Sequence, residues 1–123
     1  MASDDKYDVL TQYSSAPLDV EELLRMYQAN PDNVNVLDCL AFKYYTAEQL
    51  DKALELYKRI SSLEPENDSA HYYMGNIYYR KKQLIQAMME WKKVIQLNEG
   101  SKLAAKAQER IDAAMQQVRE LKT

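Results

Sequence analysis

The sequence repeats itself with a period of 34 residues. Residues 34–67 can be laid over residues 68–101 without a gap. The identical residues that then coincide include Tyr44-Tyr45 over Tyr78-Tyr79, Gln49-Leu50 over Gln83-Leu84, Ala53 over Ala87, Lys58 over Lys92 and Leu63 over Leu97. A fixed period in this range is typical of an architecture in which copies of one supersecondary unit stack on one another.

The apolar residues of each copy predict two helices. In the first copy Leu37, Leu40, Ala41 and Tyr44 fall at i, i+3, i+4 and i+7, which places them on one face of a helix. A second apolar stripe of helical spacing runs through residues 50–63 after a short break. Two helices joined by so short a connection run antiparallel and touch, so each copy is predicted to be a helical hairpin.

The composition agrees with an all-α fold. Hydrophobic residues make up 46% of the 123 residues and charged residues 28%, with only 2 Gly and 3 Pro, which argues against low-complexity disorder and turn-rich β architecture. The single cysteine, Cys39, excludes an intramolecular disulfide and is expected to pack as a small apolar residue. A chain of this length fits one domain.

These residues resemble a known repeat family. The pattern Leu37-x2-Leu40-Ala41-x2-Tyr44, Ala53-x3-Tyr57 and Pro65 resembles the tetratricopeptide repeat, and so does its second copy, His71-x2-Met74-Gly75-x2-Tyr78 with Ala87-x3-Trp91. The second copy departs from the family at Glu99, where the terminal proline usually stands. Gly100 is expected to end the helix there in a left-handed conformation, and Ser101 to cap the next helix. The resemblance implies a right-handed superhelix of antiparallel helix hairpins with a flanking helix at each end.

We expect residues 1–15 to form a flexible N-terminal segment and residues 16–123 to form a single domain. Within that domain, residues 17–30 are predicted to be a partial repeat with one N-terminal helix. Residues 34–67 and 68–100 are predicted to be the two full repeats, and residues 101–121 a C-terminal capping helix.

The resemblance implies that the chain binds a peptide or helix of a partner protein in a concave groove, lined by the first helix of each hairpin. By register, the groove positions are Asn35, Asp38, Phe42 and Tyr45 in the first repeat and Ser69, Tyr72, Asn76 and Tyr79 in the second. Lys106 and Arg110 of the last helix are expected to pair with an acidic group on the ligand. The carboxylate clamp found in some members is not matched, because Asp38 and Phe42 replace its lysine and asparagine.

The last helix suggests an alternative function. Its apolar residues continue to the end of the helix, past the point where its shorter neighbours are expected to cover it. A self-assembling scaffold subunit is therefore the alternative to the interaction module. The candidate oligomer interface comprises Ile111, Met115, Val118 and Leu121.

Other classes of function find little support. The chain has one histidine and one cysteine and no glycine-rich phosphate loop, so we expect no enzyme, no cofactor and no metal site. The histidine, His71, is expected to be half-buried with one hydrogen bond. Residues 1–70 carry 14 acidic and 6 basic side chains, and residues 71–123 carry 5 and 10. No apolar run is long enough to span a membrane, so we expect a cytoplasmic protein that does not insert into one. The net charge of −3 is too small to decide for or against nucleic-acid binding by itself, and we expect no nucleic-acid partner.

Overall fold

The computed structural model describes residues 19–121, and within that range it contains six α-helices and no strand. The helices are α1 (Val20–Ala29), α2 (Val34–Thr46), α3 (Leu50–Leu63), α4 (Asp68–Arg80), α5 (Leu84–Leu97) and α6 (Lys102–Leu121). The predicted all-α class, with antiparallel hairpins α2–α3 and α4–α5, is confirmed. The segment 1–15 lies outside the described residues.

The chain divides at Pro65 into two compact units, Met1–Pro65 and Glu66–Thr123. In the first unit α1 packs on α2, and α2 packs on α3. Leu23, Val36 and Leu40 form a buried cluster, with Cys39 packed against it as a partly buried residue. The predicted packing role of Cys39 is therefore confirmed.

Asparagine or aspartate side chains cap the starts of α1, α2 and α4. Asp19 Oδ1 accepts the Glu22 N–H, and Asn33 Oδ1 accepts the N–H groups of Asn35 and Val36. In the second unit Asn67 Oδ1 accepts the Ala70 N–H at the start of α4. Each of these hydrogen bonds satisfies a backbone N–H group in the first turn, which has no carbonyl partner within its own helix.

The two hairpin turns have the same backbone geometry, one period apart. Glu48 and Lys82 take positive φ angles of 64° and 65°. The next residue in each turn closes the helix end, since Gln49 N–H donates to Tyr44 O at 2.9 Å and Gln83 N–H to Tyr78 O at 2.8 Å. This hydrogen bond, together with the positive φ angle of the residue before it, defines a Schellman motif. The motif reverses the chain direction within three residues.

In the second unit α4, α5 and α6 enclose a core that contains Tyr72, Ala87, Trp91, Val94, Ala107, Ile111 and Ala114. Gly75 allows a close approach between α4 and the Trp91 indole in this core. A Cβ atom there would lie 2.4 Å from Trp91 Nε1 and 2.5 Å from Trp91 Cδ1. The first repeat has the pair Ala41 and Tyr57 at the equivalent positions, both fully buried, so the larger indole occupies the space of the missing methyl group.

The junction between α5 and α6 follows the prediction made from Gly100 and Ser101. Gly100 has a φ angle of 87°, in the left-handed region that glycine adopts without a steric penalty. Ser101 Oγ accepts the Ala104 N–H at 3.0 Å. The left-handed conformation of Gly100 and the cap at Ser101 are confirmed. The helix itself ends at Leu97, three residues before the glycine, and the chain enters α6 without the terminal proline of the repeat.

Candidate partner-binding site

The candidate site is an open pocket between α4 and α6. Tyr72 of α4 and four residues of α6, Lys106, Glu109, Arg110 and Ala113, line a volume of about 410 Å³. The four residues of α6 share one face of the helix, because they are spaced by three, four and seven residues. Three predicted site residues, Tyr72, Lys106 and Arg110, therefore lie together in what we call the Tyr72 pocket.

Arg110 is held against Tyr72 by two contacts. Its Nε donates a hydrogen bond of 2.7 Å to the Tyr72 hydroxyl, and its Cζ lies 5.5 Å from the centroid of the Tyr72 ring. The tyrosine is 6% exposed, whereas Arg110 and Lys106 are exposed. A guanidinium has five N–H donors, so the bond to the hydroxyl leaves four for other acceptors. The pocket thus presents a fixed guanidinium and an ammonium beside one carboxylate, that of Glu109.

Asn76 and Tyr79, also predicted to contact a ligand, bond to residues of α5 and α6. Asn76 Oδ1 accepts a 3.1 Å hydrogen bond from Trp91 Nε1 inside the core. The Tyr79 hydroxyl donates to Gln117 Oε1 at 2.8 Å, and its ring lies 5.9 Å from that of Trp91. These side chains join the three helices of the second unit. Ser69, one turn before Tyr72, is buried as well.

The predicted residues of the first repeat lie on α2, in the other unit. Asp38 is completely buried and Tyr45 is 9% exposed. The rings of Tyr45 and Phe42 stack with their centroids 6.2 Å apart, and Phe42 is half-buried. Asn35 is exposed and its N–H is bound by the capping side chain of Asn33. On this helix Asn35 and Phe42 therefore keep the most exposed side chains of the predicted set.

His71 makes a hydrogen bond as expected, but it is buried, at 6% exposed, and not half-buried. It forms part of a charged cluster that the sequence did not indicate. Its Nδ1–H donates to Glu90 Oε1 at 2.8 Å, and Lys93 Nζ lies 3.3 Å from Glu90 Oε2. Burial raises the pKa of the Glu90 carboxyl, but the hydrogen bond from His71 and the charge of Lys93 outweigh burial and hold that pKa below its usual value. The cluster ties α4 to α5.

A second concave surface, which we call the α5–α6 groove, was predicted only in part. Its volume is about 380 Å³. It is lined by Ile85, Met88, Met89 and Lys92 of α5 and by Ile111, Met115, Val118 and Arg119 of α6. Three of the four residues of the predicted oligomer interface thus line it, and the fourth, Leu121, is 79% exposed at the end of α6. The α5 side of the groove was missed, although the apolar character of Ile85 and Met89, outside the helical stripe, was a signal.

Residues 19–121 contain neither a candidate metal-binding cluster nor a helix able to span a membrane. Across this range we find no group of three or more His, Cys, Asp or Glu side chains placed to hold a metal ion. None of the helices α1 to α6 combines the length and apolar character needed to cross a membrane.

Comparison with known proteins identifies the repeat and the fold. A family model described as the TPR repeat matches residues 41–82. Curated protein sequences gave no match. Among solved structures, the type III secretion translocator chaperone SycD of Yersinia enterocolitica is similar with a TM-score of 0.78 and 14% identity, over 97% of this chain and 89% of that one.

Two further structures share the fold over a smaller part of their own length. YrrB, described as a TPR protein with an unusual peptide-binding site, has a TM-score of 0.70 and 22% identity, over 89% of this chain and 58% of YrrB. MamA has a TM-score of 0.62 and 16% identity, over 85% of this chain and 70% of MamA. At these identities the likeness establishes the fold.

Proposed function

We propose that this chain, a tetratricopeptide-repeat protein by its fold and by the repeat at residues 41–82, is a non-catalytic interaction module that binds a carboxylate-bearing peptide segment of a partner protein. The Tyr72 pocket is the proposed binding site. The observation that carries the proposal is the fixed Arg110 guanidinium, held on the Tyr72 hydroxyl at 2.7 Å beside the exposed Lys106. The peptide-binding site in the description of YrrB is in keeping with it.

The chemistry of the pocket favours a carboxylate. An arginine that is already oriented loses less rotamer freedom when it forms the paired N–H to oxygen bonds that a carboxylate accepts. Glu109 lines the same pocket and repels further negative charge, so we expect one acidic side chain or a chain terminus in the ligand and not a run of acidic residues.

The test is selection of peptides from a random displayed library on the full chain, followed by affinity measurements on variants. Arg110→Gln and Lys106→Gln each remove one cation from the pocket. We expect Arg110→Gln to weaken the selected peptides by about 10- to 100-fold, since charge-assisted hydrogen bonds contribute about 1.5–3 kcal/mol. Lys58→Gln, which removes an exposed cation from α3, is the matched control and should leave affinity unchanged.

Two results would count against the proposal. One is a set of selected peptides that lack a required carboxylate. The other is binding that survives Arg110→Gln and Lys106→Gln together. Circular dichroism on each variant checks that the helices are retained.

Self-association through the last helix stays the alternative function. Met115 and Leu121 are 45% and 79% exposed, as that function requires, whereas Ile111 is buried in the core of the second unit. Val118→Asp with Leu121→Asp would convert an oligomer of this kind to a monomer, and an unchanged solution mass would reject it.

A further inference from the structure

The α5–α6 groove exposes apolar side chains that hairpin packing does not require. Ile85 and Met89 are 70% and 56% exposed. At the equivalent positions, 34 residues earlier, the first repeat has Asp51 and Glu55, which are exposed as well. The same hairpin therefore forms with two carboxylates in these places, and the apolar pair of the second repeat serves something other than the hairpin. Clustered exposed apolar side chains are typical of an interaction surface.

We propose that the α5–α6 groove binds an amphipathic helix of a partner protein whose apolar stripe is flanked by acidic side chains. This site lies beyond the proposed function, because Ile111, Met115 and Val118 lie on the face of α6 opposite Lys106 and Arg110 at 3.6 residues per turn.

The lining of the groove favours a helix over an extended peptide. Among residues 19–121, Lys92 and Arg119 are the only polar side chains that line it, so an extended segment lying in it would bury backbone N–H and C=O groups without partners. A helix pairs these groups within itself and presents only side chains. The lining runs from Ile85 to Lys92 on α5 and from Ile111 to Arg119 on α6, which is about 10–12 Å at 1.5 Å per residue. That length matches about two helical turns, with anchors at i, i+3 or i+4, and i+7.

The charges of the groove point to an acidic partner. Within the described part of the chain, Lys92 and Arg119 are the charged residues that line the groove, and no carboxylate lines it. Arg119 Nη2 donates one hydrogen bond, of 3.2 Å, to Gln116 Oε1, which leaves other guanidinium donors for a ligand. Acidic side chains beside the apolar stripe of the incoming helix would pair with these two cations.

The same charges disfavour a second copy of this chain as the occupant. A two-fold dimer formed groove against groove would bring Lys92 and Arg119 of one copy towards the same residues of the other. The surrounding unit, residues 66–123, carries 10 basic and 7 acidic side chains, so its net charge adds to the repulsion. A partner helix of opposite charge has neither penalty.

Three methionines determine how selective the groove is. Met88, Met89 and Met115 are unbranched and polarisable, and such side chains repack around different apolar shapes. We therefore expect the groove to accept different apolar residues as anchors of the bound helix. The helical spacing between these anchors should be strict.

The experiment is selection of random displayed peptides of about 16 residues, which is about four helical turns. The bait is the full chain, and the counter-selection uses the full-length variant Ile85→Asp with Met89→Glu. This variant gives the second repeat the carboxylates that the first repeat has, so we expect it to fold. The matched control, Gln86→Glu with Gln96→Glu, makes the same change in net charge at exposed positions of α5 outside the groove.

The expected peptides have apolar residues at i, i+3 or i+4, and i+7 with Asp or Glu beside them. Their affinity should fall about 100-fold on the Ile85→Asp, Met89→Glu variant, which corresponds to losing about 1.4 kcal/mol per anchor contact, and change less than about twofold on the control. Arg110→Gln should leave it unchanged, which separates this site from the Tyr72 pocket.

Several outcomes would overturn the inference. They are the recovery of no groove-dependent peptide, enrichment of basic or non-helical sequences, and binding that the double variant does not change. Sedimentation equilibrium on the same proteins can give a further contradicting outcome. A wild-type dimer that the double variant turns into a monomer would assign the groove to a second copy of the chain.

Discussion

At the scale of single residues, the Tyr72 hydroxyl and the Arg110 guanidinium illustrate how a side chain can be mostly buried and still contribute to a binding site. The phenol packs into the core of the second unit while its oxygen orients an exposed cation. The proposed carboxylate site therefore depends on a residue that also stabilises the fold. For this reason the cations, and not Tyr72, are the residues to replace when binding is measured.

Glu90 links stability to pH. The hydrogen bond from His71 and the charge of Lys93 hold its pKa below the usual value despite burial, so folding favours the ionised carboxylate. A lowered pKa stabilises the fold above the pKa of the unfolded chain, and this contribution disappears as the pH falls through the folded value. We predict that Glu90→Gln costs about 1–2 kcal/mol of unfolding free energy at neutral pH and progressively less below about pH 4.

Urea unfolding between about pH 3 and pH 7 checks this prediction. Glu99→Gln, at an exposed position between α5 and α6, is the control. A cost of Glu90→Gln that stays constant over the whole range would contradict the assigned role of the carboxylate.

At the scale of elements, the two hairpins pack different pairs of residues at the same position of the repeat. The first hairpin pairs Ala41 with Tyr57, and the second pairs Gly75 with the larger Trp91. Gly75→Ala would place a methyl group within van der Waals overlap of the indole, and overpacking of this kind costs about 1–3 kcal/mol. We predict that adding Trp91→Tyr recovers part of this loss, because it recreates the pair of the first hairpin.

A double-mutant cycle on the unfolding free energies measures this coupling. The single change Trp91→Tyr completes the cycle and accounts for the lost indole and its hydrogen bond to Asn76. Additive effects of Gly75→Ala and Trp91→Tyr would contradict the account of the close approach.

The sequence predicted where the helices lie and which face of each is buried, but not the contacts made by the other faces. Helical periodicity identifies the face of each helix that is buried, and capping residues such as Ser101 mark where helices begin. Periodicity does not say what covers the remaining faces, so the burial of Asp38 and the bond from Trp91 to Asn76 were beyond its reach. The hairpin turns at Glu48 and Lys82 lacked the usual signal, because neither has the glycine that a positive φ favours.

At the scale of the whole molecule, the function proposed here concentrates in the second unit. One helix, α6, lines both the polar Tyr72 pocket and the apolar α5–α6 groove on opposite faces. The uneven charge of the chain agrees with this, because residues 71–123 hold 10 of its 16 basic side chains. Two surfaces of different chemistry on one helix would let a short repeat protein hold two segments of a partner, which raises the effective affinity for both.

The most direct test of the proposed function is to map where a selected carboxylate peptide contacts the full chain, by following the backbone amide signals in an NMR titration. The account predicts that the largest shift changes fall on Tyr72, Lys106, Arg110 and Ala113, and that the same changes need about 10- to 100-fold more peptide in Arg110→Gln. Changes centred on α2, or changes that persist unaltered in the variant, would contradict the claim that the Tyr72 pocket binds the partner.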